Sequence, residues 1–174
     1  MKKYIFLFIS LNWAFCINAQ TSFYDVNNIN IIEIFFSQSN WDQIMDNYYS
    51  QGNGDRLIAD SVIINGTKFD SVGVKYKGNS SYSANNAKNP LNIKLDYVKK
   101  QNYQGFYTLK LSNGDKDPTF VREVLSYFIS RHYMQAPQAN YNKVYINGNY
   151  VDVIIENYKM EKFLFNNKNE FENL

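Results

Sequence analysis

"LIADSVIINGTKFDSVGVKY", Leu57 to Tyr76, decides the fold. Two runs rich in β-branched residues, Leu57 to Ile64 and Lys68 to Tyr76, flank Asn65-Gly66. Asn-Gly readily adopts the positive φ angles of a tight two-residue turn, so the stretch reads as an antiparallel hairpin. The signature returns at Asn147-Gly148, between Lys143 to Ile146 and Tyr150 to Ile155. Between the hairpins, Leu91, Ile93 and Leu95 alternate with Asn92, Lys94 and Asp96, which buries one face of a strand running to Tyr97. Phe106 to Leu111 repeats the pattern.

Upstream, Ile29 to Phe36 reads as a strand, and Asn40 starts a short helix over Trp41 to Tyr49 that Gly52-Asn53-Gly54 ends. Asp117-Pro118 reads as a second helix start, running to about His132. On it Val121, Val124, Leu125, Phe128 and Ile129 form an apolar stripe expected to lie against the sheet. Glu123 falls almost opposite that stripe, with Phe120 and Tyr127 as a second apolar flank beside it. Met160 to Phe165 reads as the start of a further short helix. The fold class is therefore α+β, a mostly antiparallel sheet with one principal packed helix.

The 174 residues suffice for one domain with its own core. Lys2 and Lys3 precede an apolar run from Tyr4 to Phe15, and Ala19 stands before Gln20, so residues 1–19 read as a signal peptide cleaved after Ala19. The expected location is secreted, cell-surface or periplasmic, with no membrane span after cleavage, because no other stretch reaches the roughly 20 apolar residues a span needs. Cleavage removes Cys16, the only cysteine, and two of the 18 basic residues, leaving 16 against 16 acidic ones. A neutral chain gives no basic field for nucleic acid. Asn65-Gly66-Thr67 and Asn79-Ser80-Ser81 fit the glycosylation sequon.

No metal site is spelled in the sequence, and His132, the single histidine, reads as a helix-end residue. Lys77-Gly78-Asn79-Ser80-Ser81 has small residues that let backbone amides approach an anion, but its spacing is that of no P-loop, and polar turns share its composition. Lys94 and Lys110 each stand between apolar neighbours on a strand, on the face opposite the core, where a solvated lysine also stands. The 15 tyrosines leave open a secreted, tyrosine-rich binding or structural module of a coat or cell surface.

"VGVKYKGNSSYS", "NPLNIKLD", "LKLSNGDKDPTFVREVLSYFI", "APQANYNKVYINGNY" and "EKFL", in that order between Val72 and Leu164, resemble the first half of the spore-coat protein H (CotH) kinase family. The resemblance implies a fold like the N-terminal lobe of an atypical protein kinase. For the full-length family it also implies ATP and a divalent metal, Mg or Ca, as cofactors, neither expected to bind tightly to this part alone, and serine phosphorylation of an extracellular or coat protein as the activity. Carried over, Lys77, Gly78, Asn79, Ser80 and Ser81 become a phosphate-side loop, and Lys94 the phosphate lysine, with Lys110 its alternative. Arg122 and Glu123 match the family's helix pair, Glu123 being the carboxylate that holds the lysine, and Glu156 is the counterpart of a glutamate near the lobe junction. The family has Gly where Asp152 stands. Its metal-binding and proton-accepting aspartates lie further on, so residues 20–174 are expected to be a partial domain, nucleotide-facing and inactive alone, whose catalytic residues the sequence does not identify.

Overall fold

The computed structural model describes residues 22–157. The signal-peptide reading of residues 1–19 and the helix expected at Met160 to Phe165 lie outside them.

Seven strands close into a barrel in the order β1-β2-β3-β4-β5-β7-β6. They are β1 (Asn30–Phe35), β2 (Leu57–Ile64), β3 (Thr67–Tyr76), β4 (Leu91–Lys94), β5 (Thr108–Ser112), β6 (Ala139–Ile146) and β7 (Asn149–Asn157). Both Asn-Gly hairpins form, as β2–β3 and β6–β7. All pairings are antiparallel except β1 with β6, and that parallel pair closes the barrel. The expected mostly antiparallel sheet is therefore present, but it is curled shut. Two helices accompany it among the described residues, α1 (Trp41–Gln51) and α2 (Arg122–Ser130).

The inward set is the one the alternation marked: Val72, Val74, Ile93, Leu95, Leu109 and Leu111 are fully buried, joined by Ile32, Ile34, Val62, Ile64, Val144 and Ile146. At about 1.5–3 kcal/mol per buried aliphatic side chain, this interior is the main stabilising term. At Ser71, where φ is +56°, the inward face of β3 switches from Val72 and Val74 to Phe69, and the β2–β3 register passes from Ala59 opposite Val72 to Ser61 opposite Asp70.

Both hairpin turns bind back to β1. Asn65 N–H donates to the Ile31 carbonyl and its Oδ1 accepts from Ile31 N–H, each at 2.9 Å. Asn147 makes a similar pair of bonds further along the chain: its N–H donates to Ile34 O at 2.9 Å and its Oδ1 accepts from Phe36 N–H at 2.8 Å. Each Asn sits at positive φ, +47° and +49°. Only a residue that tolerates the left-handed region and carries a short acceptor satisfies both demands.

The barrel is stoppered at both ends of β1. Phe23, 1% exposed, packs edge-on against Tyr103 at one end, its carbonyl held by Asn30 and Asn140 Nδ2. At the other end α1 inserts Met45 into the core, Phe36 stacks on Trp41, and Tyr76 Oη donates to Asp42.

The second helix departs most from expectation. It starts at Arg122, not Pro118, because residues 117–120 form a turn with Phe120 at φ +56°. Of the apolar stripe only Val124 is buried, while Val121, Leu125, Phe128 and Ile129 are 42–49% exposed. The helix rests on β6 through the other flank, with Phe120 and Tyr127 packing around Val124, Ala139 and Tyr141. Helical periodicity identified an apolar face but not which flank meets the sheet.

Replacing Asn147 by Ala should lower unfolding free energy by about 1–3 kcal/mol, since Phe36 N–H loses its acceptor, whereas Asn147→Gly should cost less than Asn147→Ala because glycine accepts the positive φ. Chemical denaturation of the two variants checks the order; equal losses would exclude the conformational part.

Candidate functional site

Three connections gather at one end of the barrel: α1 with its exit turn, the loop 77–90 between β3 and β4, and the turn 113–121 between β5 and α2. Gly78 sits at φ +89°, and a Cβ there would lie 2.5 Å from Ser81 Oγ, so this position accepts only glycine without strain. Its carbonyl accepts the Tyr49 hydroxyl.

The loop is tightly held, despite its polar composition. Lys77 N–H bonds to Pro90 O across its neck at 2.9 Å. Asn89, fully buried, binds Ser83 and Asn86 from inside. One carboxylate of α1, Asp46, accepts both Tyr82 Oη at 2.7 Å and Asn85 N–H at 2.9 Å, and the Tyr49 and Tyr82 rings stack at 3.6 Å. Burial, then the Asp46 bond and charge, push the Tyr82 hydroxyl well above its ordinary value. On the far side Asn113 Nδ2 donates to Ser81 O and Lys88 O.

The loop separates two clefts and divides the residues singled out above between them. Lys77, Gly78 and Asn79 open onto a cleft of about 490 Å3 against α1, which Lys75 and Asn92 also line. Ser80 and Ser81 open onto a cleft of about 440 Å3 against α2, where Arg122, Glu123 and Ser112 meet them. Glu123 is thus on a cleft, beside the flank of Phe120 and Tyr127. The Tyr127 hydroxyl is pushed above its ordinary value by burial first and by the Glu123 carboxylate second.

Strand register orders the lysines on the barrel's outer face. Lys75, Asn92 and Lys110 form one cross-strand row. Lys94 lies in the next row away from the loop, between Gly73 and Thr108. Lys110 is two residues from Ser112 on the same face of β5, about 6.6 Å along the strand, and Lys94 is level with a residue four positions from Ser112. Of the two lysines, Lys110 is therefore nearer the Glu123 cleft. Glu156 pairs in register with Leu111 and Asn140.

Sequence reasoning missed Arg56 and Lys75. Arg56 donates through Nη1 to Gly73 O and Asn92 O and through Nη2 to Asn92 Oδ1, and its guanidinium lies 5.9 Å from the centre of the Tyr97 ring. The signal available for Lys75 was its outward phase between Val74 and Tyr76, the same signal that marked Lys94. His132 follows α2, its Nδ1 2.9 Å from the Phe128 carbonyl, which fits a helix-end role.

The start of α2 is occupied by its own sequence. Asp117 accepts the Thr119 hydroxyl at 2.6 Å and Arg122 N–H at 2.9 Å, so the free helix amides meet a carboxylate from this chain. These bonds, the Thr119 hydroxyl foremost, hold the Asp117 carboxyl below its ordinary value of 3.8. Among the described residues no group of three or more His, Cys, Asp or Glu is placed to hold a metal ion, and no helix is long and apolar enough to cross a membrane.

Residues 74–173 match the family model described as CotH kinase protein. No curated protein matches the chain.

A depressed carboxyl pKa stabilises the fold above its unfolded value, and that contribution is lost as pH falls through the folded value. The first turn of α2 should therefore loosen below about pH 3.8, read as faster amide exchange at Arg122. Asp117→Asn should show weaker protection at neutral pH and no such acid step; an unchanged acid step in the variant would assign it to another group.

Proposed function

This chain belongs to the CotH kinase protein family, and we propose that Ser80 and Ser81 of the loop 77–90, the outer face of β5 and the first turn of α2 bind the phosphates of ATP. The observation that carries the reading is the convergence of Ser80, Ser81, Ser112, Arg122 and Glu123 on one cleft, with Lys110 next along β5. Phosphoryl groups are recognised by fixed donors and a lysine charge, and a helix carboxylate keeps that lysine extended toward them. Lys110 takes the phosphate role and Glu123 the orienting role. Lys94, one row further from the loop, lends charge at longer range.

The succession β3, pinned loop, β4, β5, α2 supports a likeness to the nucleotide lobe of a protein kinase. In that reading the terminal phosphoryl of ATP passes to a serine hydroxyl of an extracellular or coat protein, leaving ADP and phosphoserine. The described residues do not gather a metal site, so no step through a divalent ion is derived from them. Export belongs to the same proposal and rests on the lysine pair and apolar run of residues 1–19.

One observation favours a second reading as an interaction module: the half-exposed face of Val121, Leu125, Phe128 and Ile129 on α2. Of the tyrosines, Tyr49, Tyr76, Tyr82 and Tyr103 are spent on internal stacking and hydrogen bonds, whereas Tyr97, Tyr107, Tyr133 and Tyr150 are exposed and available to such a surface.

Calorimetric titration of the 174-residue chain with ATP tests the leading reading. Lys110→Met should weaken binding about tenfold or more, equivalent to about 1.4 kcal/mol. Glu123→Gln should weaken it by less, and Lys94→Met by no more than about twofold. Absence of binding at millimolar ATP, or equal losses for the two lysine variants, would overturn the assignment.

A further inference from the structure

We propose that the cleft between α1 and the upper end of β3 is a second anion site, built to take a phosphate monoester and separate from the cleft of Glu123. Five of its lining residues, Tyr48, Tyr49, Gly52, Gly54 and Asp55, precede the family match, so the site combines the CotH region with the chain before it.

Its walls present donors. Lys75 places its ammonium 3.5 Å from the Gly54 carbonyl, a long contact that leaves its other hydrogens to the cleft. Burial first, and the nearby Arg56 charge second, lower the Lys75 pKa. Asn92 is oriented by Arg56. Because the guanidinium only donates, the Asn92 oxygen must be the atom facing it at 3.0 Å, and the Nδ2 hydrogens are left to the cleft that Asn92 lines. Lys77 and the Gly78–Asn79 peptide stand on the opposite rim. Gly54 and Gly78, at φ +84° and +89°, add no side chain over the opening.

Asp55 is the one carboxylate on this lining among the described residues, and its Oδ2 accepts from Asn53 Nδ2 at 2.7 Å. Two lysines, an oriented amide and a glycine turn around one opening match the oxygens of a doubly charged phosphate better than a neutral ligand. Tyr49 has one ring face stacked on Tyr82 and its hydroxyl given to Gly78 O, so this wall supplies shape more than base stacking. Two sources share the chemistry, a nucleotide phosphate and a phosphorylated side chain of a protein.

Amide chemical-shift titration of the full chain with inorganic phosphate, a phosphoserine peptide and ATP tests the site. Saturable shifts at Gly54, Gly78 and Asn79 are expected with phosphate and with at least one of the other two. Lys75→Met should weaken them about tenfold. Asn92→Asp should abolish them with melting unchanged, because the aspartate keeps the acceptor for Arg56 while replacing the cleft donor by a negative charge. Should that variant melt lower, Lys75→Met with Lys77→Met decides. Phosphopeptide shifts sensitive to Lys75→Met, beside ATP shifts sensitive only to Lys110→Met, identify a phosphorylated protein as the source. ATP shifts lost in both variants identify a nucleotide spanning both clefts. No saturable shift with any probe, or shifts indifferent to Lys75 and Asn92, would overturn the proposal and leave the ATP reading at Lys110 standing on its own titration.

Discussion

Barrel closure depends on β1 having a partner on each edge. Five of its six residues pair in parallel register with β6, from Asn30 opposite Asn142 to Ile34 opposite Ile146, and its other edge pairs antiparallel with β2. A parallel contact between elements more than a hundred residues apart closes a long chain segment, which costs conformational entropy before the contact returns anything. Two asparagine side chains reinforce it, each at a hairpin tip and each satisfying the β1 backbone just past the ladder. Without them two barrel seams would end on unpaired peptide groups, which are expensive when water is excluded. Everything at the functional end of the barrel follows from that closure, because the curl brings the connections after β3 and β5 to one rim.

The local part of this architecture was legible in the sequence. Asn-Gly fixed both hairpins, and the alternation in "LNIKLD" placed Ile93 inside and Lys94 outside, where the structure has them. Closure was not legible, since no local pattern states that β1 will meet β6. The flank of α2 was misread for a related reason: five apolar residues outweigh three on a helical wheel, but Val124 with Phe120 and Tyr127 is the combination that fits the β6 surface of Ala139 and Tyr141. A turn at Asp117-Pro118 was read as a helix start because an aspartate cap looks the same whether it binds an amide two residues on or five.

The candidate site was half legible. Family resemblance and polar composition pointed to Lys77 through Ser81, and the structure places those residues at the rim but divides them between two clefts. Arg56 and Lys75 were overlooked because nothing in the linear order shows that strand pairing brings both to Asn92. Their importance comes from register, which sets Lys75, Asn92 and Lys110 side by side on three strands. The family resemblance gave Lys94 the phosphate role, with Lys110 its alternative, whereas strand register sets Lys110 nearer the Glu123 cleft.

The double grip of Asp46 on Tyr82 and Asn85 has a mechanical consequence. Because one carboxylate on α1 holds the loop that forms the opposite jaw, a tilt of the helix carries both jaws together. The two jaws are thereby tied to one another like the arms of a calliper. A guest at the proposed anion site would therefore meet a span set by that one carboxylate.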